Sequence, residues 1–274
     1  MPKQPSFHQL TYAAPDDPLL KKLIIQFIEV LTGRPKIQKL YNEMQAMDFE
    51  GHEAWSVALR QLRISQDVNL SVLDQLPKEG PVILIANHPF GVVDGLIMAD
   101  LASKVRKKCS ILVNHVLCGH EDRINDFLLP ISFEETKEAQ LINIETKKLA
   151  KERLKKGEAI VVFPSGGVAT SPSFFSKAED LEWKRFVAKL IIQTKATVLP
   201  VFVHGRNSRL FQLASQIDLN LRLGLLLNEV RNKMGKEIRL TVGDPLPPTL
   251  LQQYKDKQEL LDFLREKTLL YADK

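Results

Sequence analysis

The stretch VILIANHPFGVVDGLIMADLA, residues 82 to 102, decides the fold. Its first five residues are apolar without alternation, the pattern of a strand covered on both faces. Pro89 and Gly91 then interrupt the chain, and DGLIMADLA reads as a helix. A doubly buried strand that turns directly into a helix is the repeating unit of a parallel sheet clad in helices.

The same texture continues on the C-terminal side. SILVNH (110 to 115), AIVVFP (159 to 164), TVLPVFV (197 to 203) and EIRLTVG (237 to 243) each read as a mostly buried strand. Helical spacing separates them, in 135 to 157 with a stop at Gly157, and again in 177 to 195. Residues 217 to 235 start with period-two alternation and finish with a helical pattern, so a helix is expected from about Leu221. An amphipathic helix over 256 to 272 closes the chain. The expected fold is α/β, with a mostly parallel central sheet flanked by helices, and ligands gather at the carboxyl ends of strands in such sheets.

Residues 1 to 54 differ in texture from residues 55 to 274, which are expected to form one domain. The N-terminal part reads as amphipathic helices, over 19 to 31 and 36 to 47, and a third helix runs around 55 to 64. In LLKKLIIQFIEVL, Lys21, Lys22, Gln26 and Glu29 fall within an arc of about 140° shared only with Ile25, leaving a wide apolar face. Two readings follow: a helix packed on the domain, or a helix lying in a membrane interface. No uncharged apolar run reaches the roughly 18 to 20 residues of a spanning helix. The first residues lack the pattern of a secretory signal, so a cytoplasmic location is expected.

The composition is that of a globular chain, with 44% hydrophobic and 26% charged residues. A net charge of +5 favours anionic surfaces without choosing among acidic lipid, an acidic carrier protein and nucleic acid. Nucleic acid is the weakest of these, because there is neither an aromatic-studded basic strand nor a recognition helix. Cys109 and Cys118 have no His or Cys companions at metal-ligand spacing, so no metal site is expected and both read as buried, reduced thiols.

Three loops follow buried strands. In the first, Asn87, His88, Pro89, Phe90, Gly91 and Asp94, the chain break lets Asp94 reach one imidazole nitrogen and raise the basicity of the other. A continuous helix would not allow this, since positions six apart differ by about 240°. Alternatively, His88 is an ordinary polar group and Asp94 only caps the following helix. In the second loop, FPSGGVATS (163 to 171), Pro164, Ser165, Gly166 and Gly167 permit a tight turn whose amides face an anion or oxyanion. The third loop ends in Gly205 and Arg206, and Arg206 is either an anion ligand or a surface arginine.

In this order, NHPFGVVDG, LLPISF (128 to 133), FPSGG and VLPVFVHGRNS resemble the four motif blocks of the phospholipid and glycerol acyltransferase family over about residues 55 to 245. The resemblance implies an acyltransferase domain at 55 to 274, with His88 and Asp94 as catalytic pair and Asn87, Phe90, Gly91, Pro164, Ser165, Gly166, Gly167 and Arg206 in substrate binding. It implies acyl-ACP or acyl-CoA as co-substrate, a lysolipid acceptor, no further cofactor, and a peripheral location on the cytoplasmic face of the inner membrane. No covalent intermediate is implied, in keeping with the lack of a G-x-S-x-G elbow.

Two departures shape the expected substrate. Five residues rather than four separate His88 from Asp94, a variant that is similar to the lyso-ornithine lipid and hemolysin-like subgroup. Ser165, Gly166, Gly167 and Val168 stand where the family usually has Glu, Gly, Thr and Arg, and Phe133 stands near its block-two arginine. Loss of these charge-assisted contacts disfavours a glycerol phosphate acceptor and favours a lyso-aminolipid. Arg206, Lys177 and Arg123 are the substitutes that would keep lysophosphatidate, and hence phosphatidate synthesis, as the alternative. A non-catalytic lipid-binding protein is the alternative of another class.

Overall fold

A computed structural model describes residues 11, 13, 18–118, 122–134, 136–173, 176–217 and 219–272. Two helices, α1 (Leu19–Thr32) and α2 (Arg34–Gln45), precede α3 (Ala54–Gln61) and β1 (Ser65–Asp67). Then come β2 (Val82–Ala86), α4 (Val92–Val105), β3 (Cys109–Asn114), α5 (Asp122–Asn125), β4 (Leu128–Ile131), α6 (Lys137–Lys155) and β5 (Ala159–Val162). The rest is α7 (Arg185–Thr194), β6 (Thr197–Val203), α8 (Arg209–Ile217), α9 (Leu219–Lys233), β7 (Glu237–Val242), α10 (Pro248–Leu251) and α11 (Lys257–Leu269).

The strands form one sheet in the order β1-β7-β6-β2-β5-β3-β4, parallel throughout except between β6 and β7. Strand β2 lies at its centre, with Leu84 in register with Val161 of β5 and Leu199 of β6. All five of its residues are buried, and they alternate between two cores. Val82, Leu84 and Ala86 face the core built with α3, α4, α8 and α9, whereas Ile83 and Ile85 face α6, α7 and α11. Since β6, β2 and β5 are adjacent and parallel, the three motif loops leave the same edge side by side.

Several expectations need correction. The helix expected over 177 to 195 begins only at Arg185; before it the chain is irregular, with Glu179 bridged to Thr170. Helix α9 begins at Leu219, and a separate helix, α8, precedes it. Strands β1 and β4 were not expected. Cys118 is half-buried rather than buried, although both thiols are free and burial pushes them up, Cys109 to about 12 and Cys118 to about 11. At such values neither is a thiolate nucleophile at neutral pH.

The amphipathic helix α1 is inverted with respect to ordinary packing. It rests on α9 through the side that carries its polar arc: Ile25 and Glu29 are fully buried. Gly224 of α9 makes the approach possible, because a Cβ there would lie 3.0 Å from Ile28. Glu29 accepts from Thr11 Oγ1 at 2.7 Å and pairs with Arg34 at 3.4 Å, which compensates the buried charge. The apolar face points outward, with Leu19, Leu20, Leu23, Phe27, Val30 and Leu31 exposed. An exposed apolar stripe of this kind marks an interaction surface.

Candidate active site

His88 and Asp94 meet. Gly91, with φ of 93°, turns the chain through a conformation that side-chain-bearing residues avoid, and it becomes the N-cap of α4. Asp94 is thereby placed at the third helical position, where its Oδ2 accepts from the N–H groups of Phe90 at 2.7 Å and Gly91 at 2.9 Å. The same oxygen lies 3.0 Å from His88 Nδ1, which has no hydrogen-bond partner among the described residues, since the ring is not turned to align its N–H on the oxygen. Capping and pairing are therefore two uses of one carboxylate, and the fifth intervening residue is taken up in the turn at Gly91. Asp94 is fully buried, whereas the His88 side chain retains 16% exposure.

His88 is held through ring and backbone. Its ring stacks on Phe163 with centroids 4.0 Å apart, its backbone carbonyl accepts from Ala169 N–H at 2.8 Å, and its backbone N–H donates to Asp180 Oδ1 at 3.0 Å. Asp180 also accepts from Trp183 Nε1 at 3.2 Å. Burial raises the Asp180 carboxyl above its ordinary range, and the His88 and Trp183 hydrogen bonds act in the opposite direction. Sequence reasoning missed Asp180 because it lay inside a segment read as helix. The signal available was a Trp three residues after an Asp, close behind a glycine-containing turn.

Several expected substrate ligands are committed inside the protein. Asn87 is buried and exchanges both amide functions with the backbone of Val203, at 2.9 and 2.7 Å, clamping the end of β2 to the end of β6. Phe90 is buried beneath the Lys233 ammonium, 4.5 Å from its ring centroid. Ser165 is buried with its hydroxyl on Gly167 O at 3.0 Å. Gly91 and Pro164 contribute backbone only, the Pro164 carbonyl accepting from Lys184 N–H at 2.9 Å. These residues build the site's frame. Gly166 and Gly167 remain accessible at the turn, and Arg206 is exposed in a shallow depression shared with Arg209 and Gln212.

A second unexpected residue is Arg222 of α9. Its Nη2 donates to Val168 O at 2.9 Å, and a Cβ on Gly167 would lie 3.8 Å from the same nitrogen. Burial lowers its pKa from the usual guanidinium value. Among the described residues no carboxylate pairs with it. It brings a half-buried cation to the turn where the sequence has Val168. Of the other substitutes, Arg123 instead donates to the carbonyls of Met47 and Gln45 and lies over Phe49, while Lys177 is exposed. Among the described residues no group of three His, Cys, Asp or Glu side chains is arranged to hold a metal ion.

Fold and site define a parallel α/β protein with a histidine–carboxylate pair at the carboxyl edge of its sheet and no nucleophile elbow. The sequence model of a family described as acyltransferase matches residues 53–274, and the chain belongs to that family. It is 23% identical over 254 residues to a lyso-glycine lipid O-acyltransferase of Bacteroides thetaiotaomicron, covering 90% of this chain and 89% of that one. A lyso-glycine lipid O-acyltransferase of Phocaeicola vulgatus is 24% identical over 206 residues, 73% of this chain and 71% of the other. Among solved structures, the 1-acyl-sn-glycerophosphate acyltransferase PlsC of Thermotoga maritima matches with a TM-score of 0.48 and 17% identity, covering 91% and 92% of the two chains.

Proposed function

We propose that this acyltransferase moves a fatty acyl group from a thioester, acyl-ACP or acyl-CoA, onto the hydroxyl of a lyso-aminolipid whose headgroup ends in a carboxylate. The observation that carries this reading is the His88–Asp94 pair beside a turn whose nearest half-buried cation is Arg222. His88 takes the acceptor's hydroxyl proton through the ring nitrogen not facing Asp94, as the oxygen attacks the thioester carbonyl. Asp94 supports the imidazolium. The N–H groups of Gly167 and Val168, which find no acceptor within the described protein, receive the developing oxyanion. The C–S bond then breaks and the proton passes from His88 to the leaving thiolate. The chemistry calls on no metal or redox group.

The acceptor follows from charge. A glycerol phosphate headgroup is dianionic near neutrality, and the turn offers it one guanidinium; a glycine joined through its nitrogen ends in a single carboxylate, which a guanidinium matches bidentately. The two relatives named for lyso-glycine lipid support this choice of headgroup. Arg222→Ala is expected to raise KM for the acceptor about tenfold, the scale of one charge-assisted hydrogen bond, with KM for the donor unchanged. Steady-state kinetics with lyso-glycine lipid, lyso-ornithine lipid and lysophosphatidate offered side by side test both statements. Efficient transfer to lysophosphatidate alone would make phosphatidate synthesis the function, and no transfer to any lysolipid would favour a lipid-binding protein.

The reading also places the protein on the cytoplasmic face of the inner membrane. Among the described residues no helix is long and apolar enough to cross a bilayer, so attachment would be peripheral, through the outward face of α1. Replacing Leu20, Leu23 and Phe27 with glutamate changes only exposed positions. Sedimentation with lipid vesicles is expected to fall at least about tenfold in the triple variant, since each buried leucine or phenylalanine contributes roughly 1.5–3 kcal/mol. Undiminished binding would remove α1 from the attachment.

A further inference from the structure

We infer that the groove between α6, α7 and the start of α11 is the docking site for an acidic helical carrier protein that brings the acyl thioester. This rests on the proposed acyl transfer and adds the place where the donor binds. The groove has a volume of about 730 Å³. Helix α6 lines it with Lys147, Lys148 and Lys151, and α7 with Arg185 and Lys189. Lys255 and Lys257 flank its third wall, where Asp256 is the sole acid among the described residues that line the groove, and that carboxylate is spent on capping α11 through the N–H groups of Gln258 and Glu259.

Seven cations against one acid give the groove a formal +6, more than the +5 of the whole chain, so the remainder is close to neutral. Among the described residues none of the seven pairs with a carboxylate. Like charges this close repel one another, and an anionic partner relieves that repulsion. Lys147 and Lys151 are one helical turn apart, as are Arg185 and Lys189, giving two rows of cations spaced by about 6 Å. Carboxylates four residues apart on a helix have the same spacing. Phe186, with Lys147 5.4 Å above its ring, supplies an apolar floor.

The position distinguishes a protein from a membrane. Helices α6, α7 and α11 cover one face of the sheet, and α1 packs on α9 over the other. A bilayer engaged by the α1 stripe therefore lies across the sheet from the groove, which is left to an aqueous partner. The chain joins the groove's edge to the site: Arg185 directly follows Lys184, whose N–H holds Pro164 O, and Trp183, which holds Asp180 behind His88. A thioester on a flexible arm could enter from this side while the lysolipid enters from the bilayer.

The test uses the full chain carrying Lys147→Glu, Lys151→Glu and Lys189→Glu, with the corresponding Gln triple variant as a check that charge reversal has not disturbed folding. Titration with purified acyl carrier protein is expected to show at least a tenfold weaker Kd for the Glu variant and a smaller loss for the Gln variant, both disappearing at high salt. KM for acyl carrier protein thioester should rise in parallel, with kcat and the constants for acyl-CoA unchanged. Wild-type affinity for the carrier in both variants would overturn the proposal. So would an equal rise in KM for acyl-CoA, which would make the groove a nucleotide phosphate site, or loss of anionic vesicle binding with carrier affinity intact. If the wild type transfers from neither donor, acyl transfer as proposed fails, while the titration still decides the docking site.

Discussion

His88→Ala is expected to lower kcat for acyl transfer by about a thousandfold, within the 10²–10⁴ that a positioned general base contributes. The loss should appear in kcat, because the imidazole acts on the proton in flight more than on the bound substrates. Folding should survive. The contacts that fix the turn at this residue are made by its backbone, to Ala169 and to Asp180, and these remain in the variant. What disappears is the stacking on Phe163 and a partly exposed ring, so the free energy of unfolding should change by no more than about 1 kcal/mol. Steady-state kinetics and a denaturant titration on the same preparation separate the two effects. A loss of activity below tenfold would mean that the residue only shapes the turn.

The sheet was legible where burial dictates composition. Val82 to Ala86, Ala159 to Val162 and Thr197 to Val203 are buried almost throughout, and two-sided burial leaves little choice but β-branched and aliphatic residues. Strand β1, Ser-Gln-Asp, escaped notice because two of its three residues are exposed and it exists by pairing with β7. Strand β4 contains Pro130, which an edge strand tolerates because one side needs no donor. Periodicity also identified the two faces of α1 without revealing which one packs. That choice is tertiary: Glu29 finds Arg34 and Thr11, and Gly224 admits the helix closely.

The site divides in the same way. His88 and Asp94 could be paired from sequence because one turn joins them. Asp180 and Arg222 could not, since each reaches the site from an element distant in the chain: one from an irregular segment with helical spacing, the other from a helix whose pattern began as alternation. Asn87 shows the other side of this. A polar residue at a strand end beside His88 invites a substrate role, and the structure occupies its amide with the donor and acceptor that the parallel neighbour β6 presents at Val203.

Asp94 carries two roles on one oxygen, and two substitutions separate them. In Asp94→Asn the amide oxygen can still accept from Phe90 and Gly91, so the cap survives and stability should fall by only about 1 kcal/mol. The negative charge facing Nδ1 is gone, however, and the developing imidazolium loses its support; kcat should fall by about a hundredfold or more. In Asp94→Ala both backbone N–H groups lose their acceptor inside the protein. At about 1–3 kcal/mol for each unsatisfied donor, stability should fall by roughly 2–6 kcal/mol, and the rate at least as far as in the Asn variant. Were Asp94 a helix cap alone, Asn would be nearly as active as wild type and only Ala would be harmed. Comparable rate losses with unequal denaturation midpoints are therefore the signature of a carboxylate that both shapes the turn and drives the base.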